Sequence, residues 1–144
     1  MKKIVVLILI IFILTGCTVF PKDVFKQPEG QIIYDGEHHR MLPSKFEWVE
    51  DDFEVRFKSS ADINELADHF ETLEVKKGDL LEFDIEKNPI SIAVTLLNED
   101  DTIEDIEVND ATIAMPSKDG YFLYEVNVLW HKGKETFIFD VNVQ

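Results

Sequence analysis

Two alternating runs near the C-terminus leave this chain few ways to fold. Phe122, Tyr124, Val126, Val128 and Trp130 alternate with Leu123, Glu125, Asn127 and Leu129. His131-Lys132-Gly133-Lys134 interrupts, and then Phe137, Phe139, Val141 and Val143 alternate with Ile138, Asp140 and Asn142. A period of two places every second side chain on one face of an extended strand, so each run has an apolar face. Two such runs around a short glycine-containing turn predict a long β-hairpin. A hairpin cannot bury that face alone, and a second layer must cover it.

Further runs supply the layer. Phe46 and Trp48 share one face. After Glu50-Asp51-Asp52, Phe53, Val55 and Phe57 share another, with Glu54, Arg56 and Lys58 outward. Leu81, Phe83 and Ile85 alternate with Glu82 and Asp84; Ile90, Ile92, Val94 and Leu96 follow the Asn88-Pro89 break. Many short strands between turns predict a mainly β fold, an antiparallel β-sandwich. One stretch departs from the rhythm. Ile63, Leu66, Ala67 and Phe70 recur at i, i+3, i+4 and i+7, which predicts one short helix over about 60–71. Ser59 or Ser60 is its expected cap, with Ser59 and Asp62 at capping-box spacing. Leu123, Leu129 and Ile138 make the outer face of the hairpin partly apolar, so either the helix or a partner must cover it.

The start of the chain has a different character. Lys2 and Lys3 precede eleven unbroken apolar residues, Ile4 to Leu14, and the small residues Thr15 and Gly16 follow. Charged start, apolar middle and small-residue end predict a secretory signal peptide. The run is well short of the ~20 residues that a spanning helix needs. Leu14-Thr15-Gly16-Cys17 resembles the lipobox of bacterial lipoproteins. The resemblance implies a diacylglyceryl group on the Cys17 thiol and cleavage just before that residue. One buried acyl chain, at ~0.8 kcal/mol per CH₂, holds a protein only marginally, and two hold it firmly. The resemblance therefore implies a cell-membrane lipoprotein anchored on the extracytoplasmic side. Cys17 is the only cysteine of the 144 residues, so there is no partner for a disulfide, a zinc centre or a redox pair. The expected organisation is a signal peptide over 1–16, a lipidated cysteine and tether over 17–29, where Pro21 and Pro28 fall, and a sandwich domain over 30–144.

The C-terminal third carries a second resemblance. Gly120-Tyr121-Phe122-Leu123-Tyr124 resembles the G-x-Y-x-C pattern of immunoglobulin-like domains, with Phe122 at the tyrosine position and Tyr124 at the cysteine position. The whole segment from Asp119 to Val143 looks like the ending of small surface lipoproteins of Gram-positive bacteria. The implied fold is an immunoglobulin-like β-sandwich.

Charge limits the partners. The chain has 14 basic and 29 acidic residues, a formal charge of −15. Loss of residues 1–16 removes two lysines and no acid, leaving −17. Nucleic acid is excluded, because its phosphates would be repelled. Anionic lipid is a poor docking surface for the domain as a whole.

Little in the sequence points to catalysis. The chain has no G-x-S-x-G, no S-x-x-K and no phosphate-cradling glycine loop. Of the histidines, His38-His39, His69 and His131, only His39 with Glu37 makes a possible transition-metal corner, in a segment from Asp35 to Met41 that reads as a polar loop. The most unusual stretch has no lysine or arginine from Ile90 to Ser117 and holds Glu99, Asp100, Asp101, Glu104, Asp105, Glu107 and Asp110. Asn98, Asp100, Thr102 and Glu104 alternate like the first oxygen ligands of a calcium loop, but Ile103 stands where an EF-hand needs glycine. A solvated acidic loop and strand is the first expectation there, with an irregular, weak calcium site at Asp100, Asp101 and Glu104 as the alternative. No other cofactor is implied. The leading expectation is a lipid-anchored binding module without enzymatic activity, with a protein or peptide partner. The alternatives are an envelope-acting hydrolase and an acidic lipoprotein that intercepts cationic peptides or cations.

Overall fold

The computed structural model describes residues 25–144. Cys17 and the signal segment lie outside the described residues. Eleven strands and one helix follow in order: β1 Gly30–Tyr34, β2 Glu37–Arg40, β3 Leu42–Glu50, β4 Phe53–Lys58, α1 Ile63–Ala67, β5 Leu73–Val75, β6 Leu80–Ile85, β7 Ser91–Leu97, β8 Ile103–Ile106, β9 Thr112–Ala114, β10 Gly120–Leu129 and β11 Gly133–Val143. They form two sheets, one ordered β2-β1-β6-β9 and a larger one ordered β4-β3-β11-β10-β7-β8. The fold is a mainly β sandwich with one short helix.

The C-terminal hairpin is the spine of the larger sheet. Gly120 faces Val143 and Leu129 faces Lys134, ten pairs in unbroken antiparallel register. Its inner face buries Tyr124, Val126, Val128, Phe137, Phe139, Val141 and Val143. From the smaller sheet come Ile32, Leu81, Phe83 and Ile113. The Phe83 and Phe139 rings meet edge to face across the two sheets at 6.0 Å, and Tyr124 stacks on Phe139 at 4.8 Å. Tyr124 thus fills with aromatic packing the position that carries a cysteine in the immunoglobulin pattern. The likeness to those domains stops at the two-sheet sandwich.

Three details of β11 shape what surrounds it. Gly133 lets β3 come close, since a Cβ there would lie 2.2 Å from the Glu47 carbonyl oxygen. A register shift between Thr136 and Phe137 leaves Ser44 of β3 as the extra residue. Beyond it β3 gives way, and β5 takes its place beside Val141–Val143 in parallel. The expected sheets had no parallel pair.

The helix is shorter than its apolar spacing predicts. Its cap is Asp62, whose Oδ1 accepts from the Asn64 and Glu65 amides at 2.9 and 3.0 Å, rather than Ser59 or Ser60. Ser59 Oγ instead accepts from the Ala61 amide in a turn. After Ala67 the chain tightens, with the Phe70 amide donating to the Ala67 carbonyl. Ala67 packs on Leu123 and Ile138, with Ile63, Leu66, Leu42 and Leu97 around them. The helix therefore covers most of the outer apolar face of the hairpin. Leu129 alone of the three stays exposed, at 45%. Phe70 turns into the main core.

Two other expectations change. Asp35 to Met41 is not a loop: Asp35 and Gly36 both take positive φ, as a two-residue hairpin turn requires, and Glu37–Arg40 returns as β2. The domain also begins before Gly30. Phe25, read as tether, packs on Phe46, Trp48 and Phe53 at 5.9, 5.6 and 5.4 Å between ring centres. The Lys87 ammonium sits 4.7 Å above the Phe25 ring. Pro28 is buried.

Candidate functional site

The acidic stretch folds into a tight connection between two strands. Between β7 and β8, the Asn98 amide donates to the Thr102 carbonyl and the Asp101 amide to the Asn98 carbonyl, at 2.9 and 3.1 Å. Asp101 takes positive φ, and Asp100 Oδ1 accepts from both the amide and the hydroxyl of Thr102. Those bonds favour the charged form and hold the Asp100 carboxyl below its ordinary range. Asp100 is thus occupied with shaping its own turn. Glu104 lies on β8 opposite Leu96, and all seven carboxylates of the stretch are exposed.

Asp100, Asp101 and Glu104, the candidate calcium ligands, do not form one cluster. Among the described residues no three carboxylate, imidazole or thiol side chains converge as a metal cage requires. Asp100 and Asp101 sit in the turn, and Glu104 lies beyond it on β8. The His39–Glu37 corner has two members only among the described residues. The two share one face of β2 with 3.9 Å between Nε2 and Oε2, and no third ligand joins them. His38 points the other way, its Nδ1 2.9 Å from Gln31 Oε1. Melts in calcium, magnesium and sodium at equal ionic strength should therefore shift together, by charge screening. A rise with calcium alone would show that the ion builds its own cage.

What the acidic turn does form is one wall of a groove. The turn, the N-terminal end of α1 and the start of β10 enclose about 800 Å³. Glu99, Asp100, Asp101 and Asp119 rim it, and Leu97, Ile103, Tyr121 and Leu123 supply apolar surface. No lysine or arginine lines it. Lys77 pairs with Asp119 at 2.5 Å from outside that lining. Ile103 is 69% exposed and Tyr121 50%, so the apolar surface is open to a ligand. The Tyr121 hydroxyl donates to Asp140 Oδ2 at 2.7 Å, which fixes the ring against the groove floor. Asp140 lies beneath, 2% exposed. Burial raises its carboxyl, against the opposing effects of Tyr121 and Thr72.

A second buried carboxylate is legible in the sequence by its parity, although the sequence expectations above do not include it. Glu135 shares the inner-face parity of Phe137 and Phe139, which alone signals a charge in the core. It is 2% exposed, with Oε1 accepting from Gln27 Nε2 at 2.6 Å and Oε2 without a protein partner. Burial pushes it up to about 7, with Gln27 and Arg40 acting in the opposite direction. A cavity of about 70 Å³ beside it, walled by Arg40, Met41, Pro43 and Phe137, has room for water but not for a substrate.

Residues 1–18 match the family model of the prokaryotic membrane lipoprotein lipid attachment site. That match bears out the lipobox, and the chain is a membrane-anchored lipoprotein. Among the described residues no helix is long and apolar enough to cross a membrane. No curated protein matches the sequence. A solved structure of Bacillus amyloliquefaciens CBM33 in complex with Cu(I) is similar over 54% of this chain, at 15% identity and a TM-score of 0.40. The match spans 58% of that structure's length, and a likeness so slight carries no functional argument.

Proposed function

We propose that this lipoprotein is a binding module without enzymatic activity, displayed on the extracytoplasmic face, whose acidic groove takes a basic, partly apolar segment of a protein partner. The observation that supports the reading is the pairing of four rim carboxylates with exposed Ile103 and Tyr121 in one groove that no basic side chain lines. Carboxylates on a rim speed encounter and select for positive charge. Apolar floor supplies the rest of the affinity. Of the carboxyls that burial raises, Glu135 lies in the core and Asp140 beneath Tyr121; neither lines the groove, so they lend no support to hydrolysis.

A decapeptide alternating lysine and leucine serves as probe. It should bind with an affinity that falls as salt rises. Exposed ion pairs contribute ~0.2–1 kcal/mol each. Neutralising three in Glu99→Gln, Asp100→Asn and Asp101→Asn together should then weaken binding about tenfold. An unchanged affinity in the triple variant would remove the groove from the account.

A further inference from the structure

Phe25, the first described residue, and the groove lie at opposite ends of the sandwich. We infer that the end carrying Phe25 rests against the bilayer and that the acidic groove is presented away from it. The inference depends on the lipoprotein anchor at Cys17 and not on the ligand of the groove.

Chain length sets the first limit. Phe25, the first described residue, is fixed on Phe46, Trp48 and Phe53. Cys17 is eight residues earlier, and eight residues reach at most about 29 Å when fully extended. The groove lies at the far end of the larger sheet. Leu97, Ile103 and Gly120 mark the groove end of the larger sheet, and Ser91, Leu129 and Gly133 mark the other. At about 3.4 Å per residue, the nine steps of β10 put the two ends roughly 30 Å apart.

The surface of the anchored end fits a lipid headgroup layer. It is made of the turns Glu50–Phe53, Glu86–Ile90 and Trp130–Lys132, which close together: the Val49 amide donates to Lys132, Ile90 to Leu129, and the Trp130 indole to Glu86. Val49, Phe53, Ile90 and Leu129 stand exposed there, at 56, 37, 52 and 45%. Lys26 and Lys132 pair with Glu86 and Glu50 at 3.6 and 3.4 Å, and Lys87 covers the aromatic cluster. Three lysines against Glu50, Asp51, Asp52 and Glu86 leave this end close to neutral. The groove end, with its four rim carboxylates, is repelled by an anionic leaflet. Leash, apolar groups and field all favour the same orientation.

The test uses the full lipidated protein in vesicles of phosphatidylglycerol and phosphatidylethanolamine with an energy acceptor on the headgroups. The Cys17 sulfur is consumed by the anchor, so an introduced thiol is the one site for a donor dye. Asp52→Cys marks the anchored end and Glu99→Cys the groove end; both positions are exposed. Transfer from position 52 should exceed that from position 99 at least about twofold for a ~30 Å difference in height. Adding Val49→Ser and Phe53→Ser, both at exposed positions, should narrow the gap while the protein still floats with the vesicles. Equal transfer from the two sites, or more from position 99, would overturn the orientation. An unchanged gap in the serine variant would overturn the contact. Protein that fails to float with the vesicles would overturn the inference together with the anchor, leaving peptide binding by the groove unaffected.

Discussion

The Glu135→Gln variant is expected to resist denaturant better than the parent at pH 8 and no better at pH 4. Glu135 is buried on the inner face of β11, with one oxygen bonded to Gln27 and the other without a protein partner. Its carboxyl, ordinarily at 4.5, is raised to about 7 in the folded state by burial. Between those two values the folded protein holds a proton that the unfolded chain has released. Stability from this residue is therefore complete below pH 4.5 and is lost as the pH climbs through 7. At 1.36 kcal/mol per unit, the cost of the ionised form above pH 7 is at most about 3 kcal/mol. Water in the adjoining cavity reduces it. Glutamine keeps an oxygen for Gln27 and carries no charge at any pH. Urea midpoints of both proteins at pH 4, 6 and 8 should diverge progressively. A constant difference across that range would mean that packing, not ionisation, separates the two.

Phe70→Ala should cost about 3 kcal/mol, the lower end of the range for truncating a buried phenylalanine. Phe70 is 8% exposed and belongs to the main core, while Ile63 and Leu66 of the same helical stripe are only half-buried. Leu66→Ala should accordingly cost less. The residue also holds the passage from α1 to β5, where the chain moves from the outer side of the larger sheet into its parallel pairing with β11. The check is a lowered urea midpoint with an unchanged slope. A midpoint equal to the parent's would detach the turn after α1 from the cooperative core.

Legibility followed the range of the interactions. The C-terminal hairpin was readable because ten consecutive pairs obey one parity, and side-chain burial enforces the register. The β1–β2 hairpin was missed although Asp35-Gly36 carries its turn signal, because Glu37-His38-His39-Arg40 has no apolar face to announce a strand. The helix was over-extended because Phe70 fits the stripe by spacing, yet reaches the core through a tightened turn after Ala67. Glu135 is visible by parity, a charge set among aromatic neighbours on the inner face. The acidic run is plain in the sequence, but its groove is not. That groove joins residues near 63, 100 and 120, and only the folded sheet brings them together.

Display of the groove rests on the anchor, and one measurement bears on it most directly. Cells expressing the parent and Cys17→Ala are fed a radioactive fatty acid, and the protein is isolated from membrane and soluble fractions. The match of residues 1–18 to a lipid attachment site leads to label on the parent, in the membrane, and none on the variant. Equal label on both proteins would contradict the account, because the acyl chains would then be attached somewhere other than Cys17.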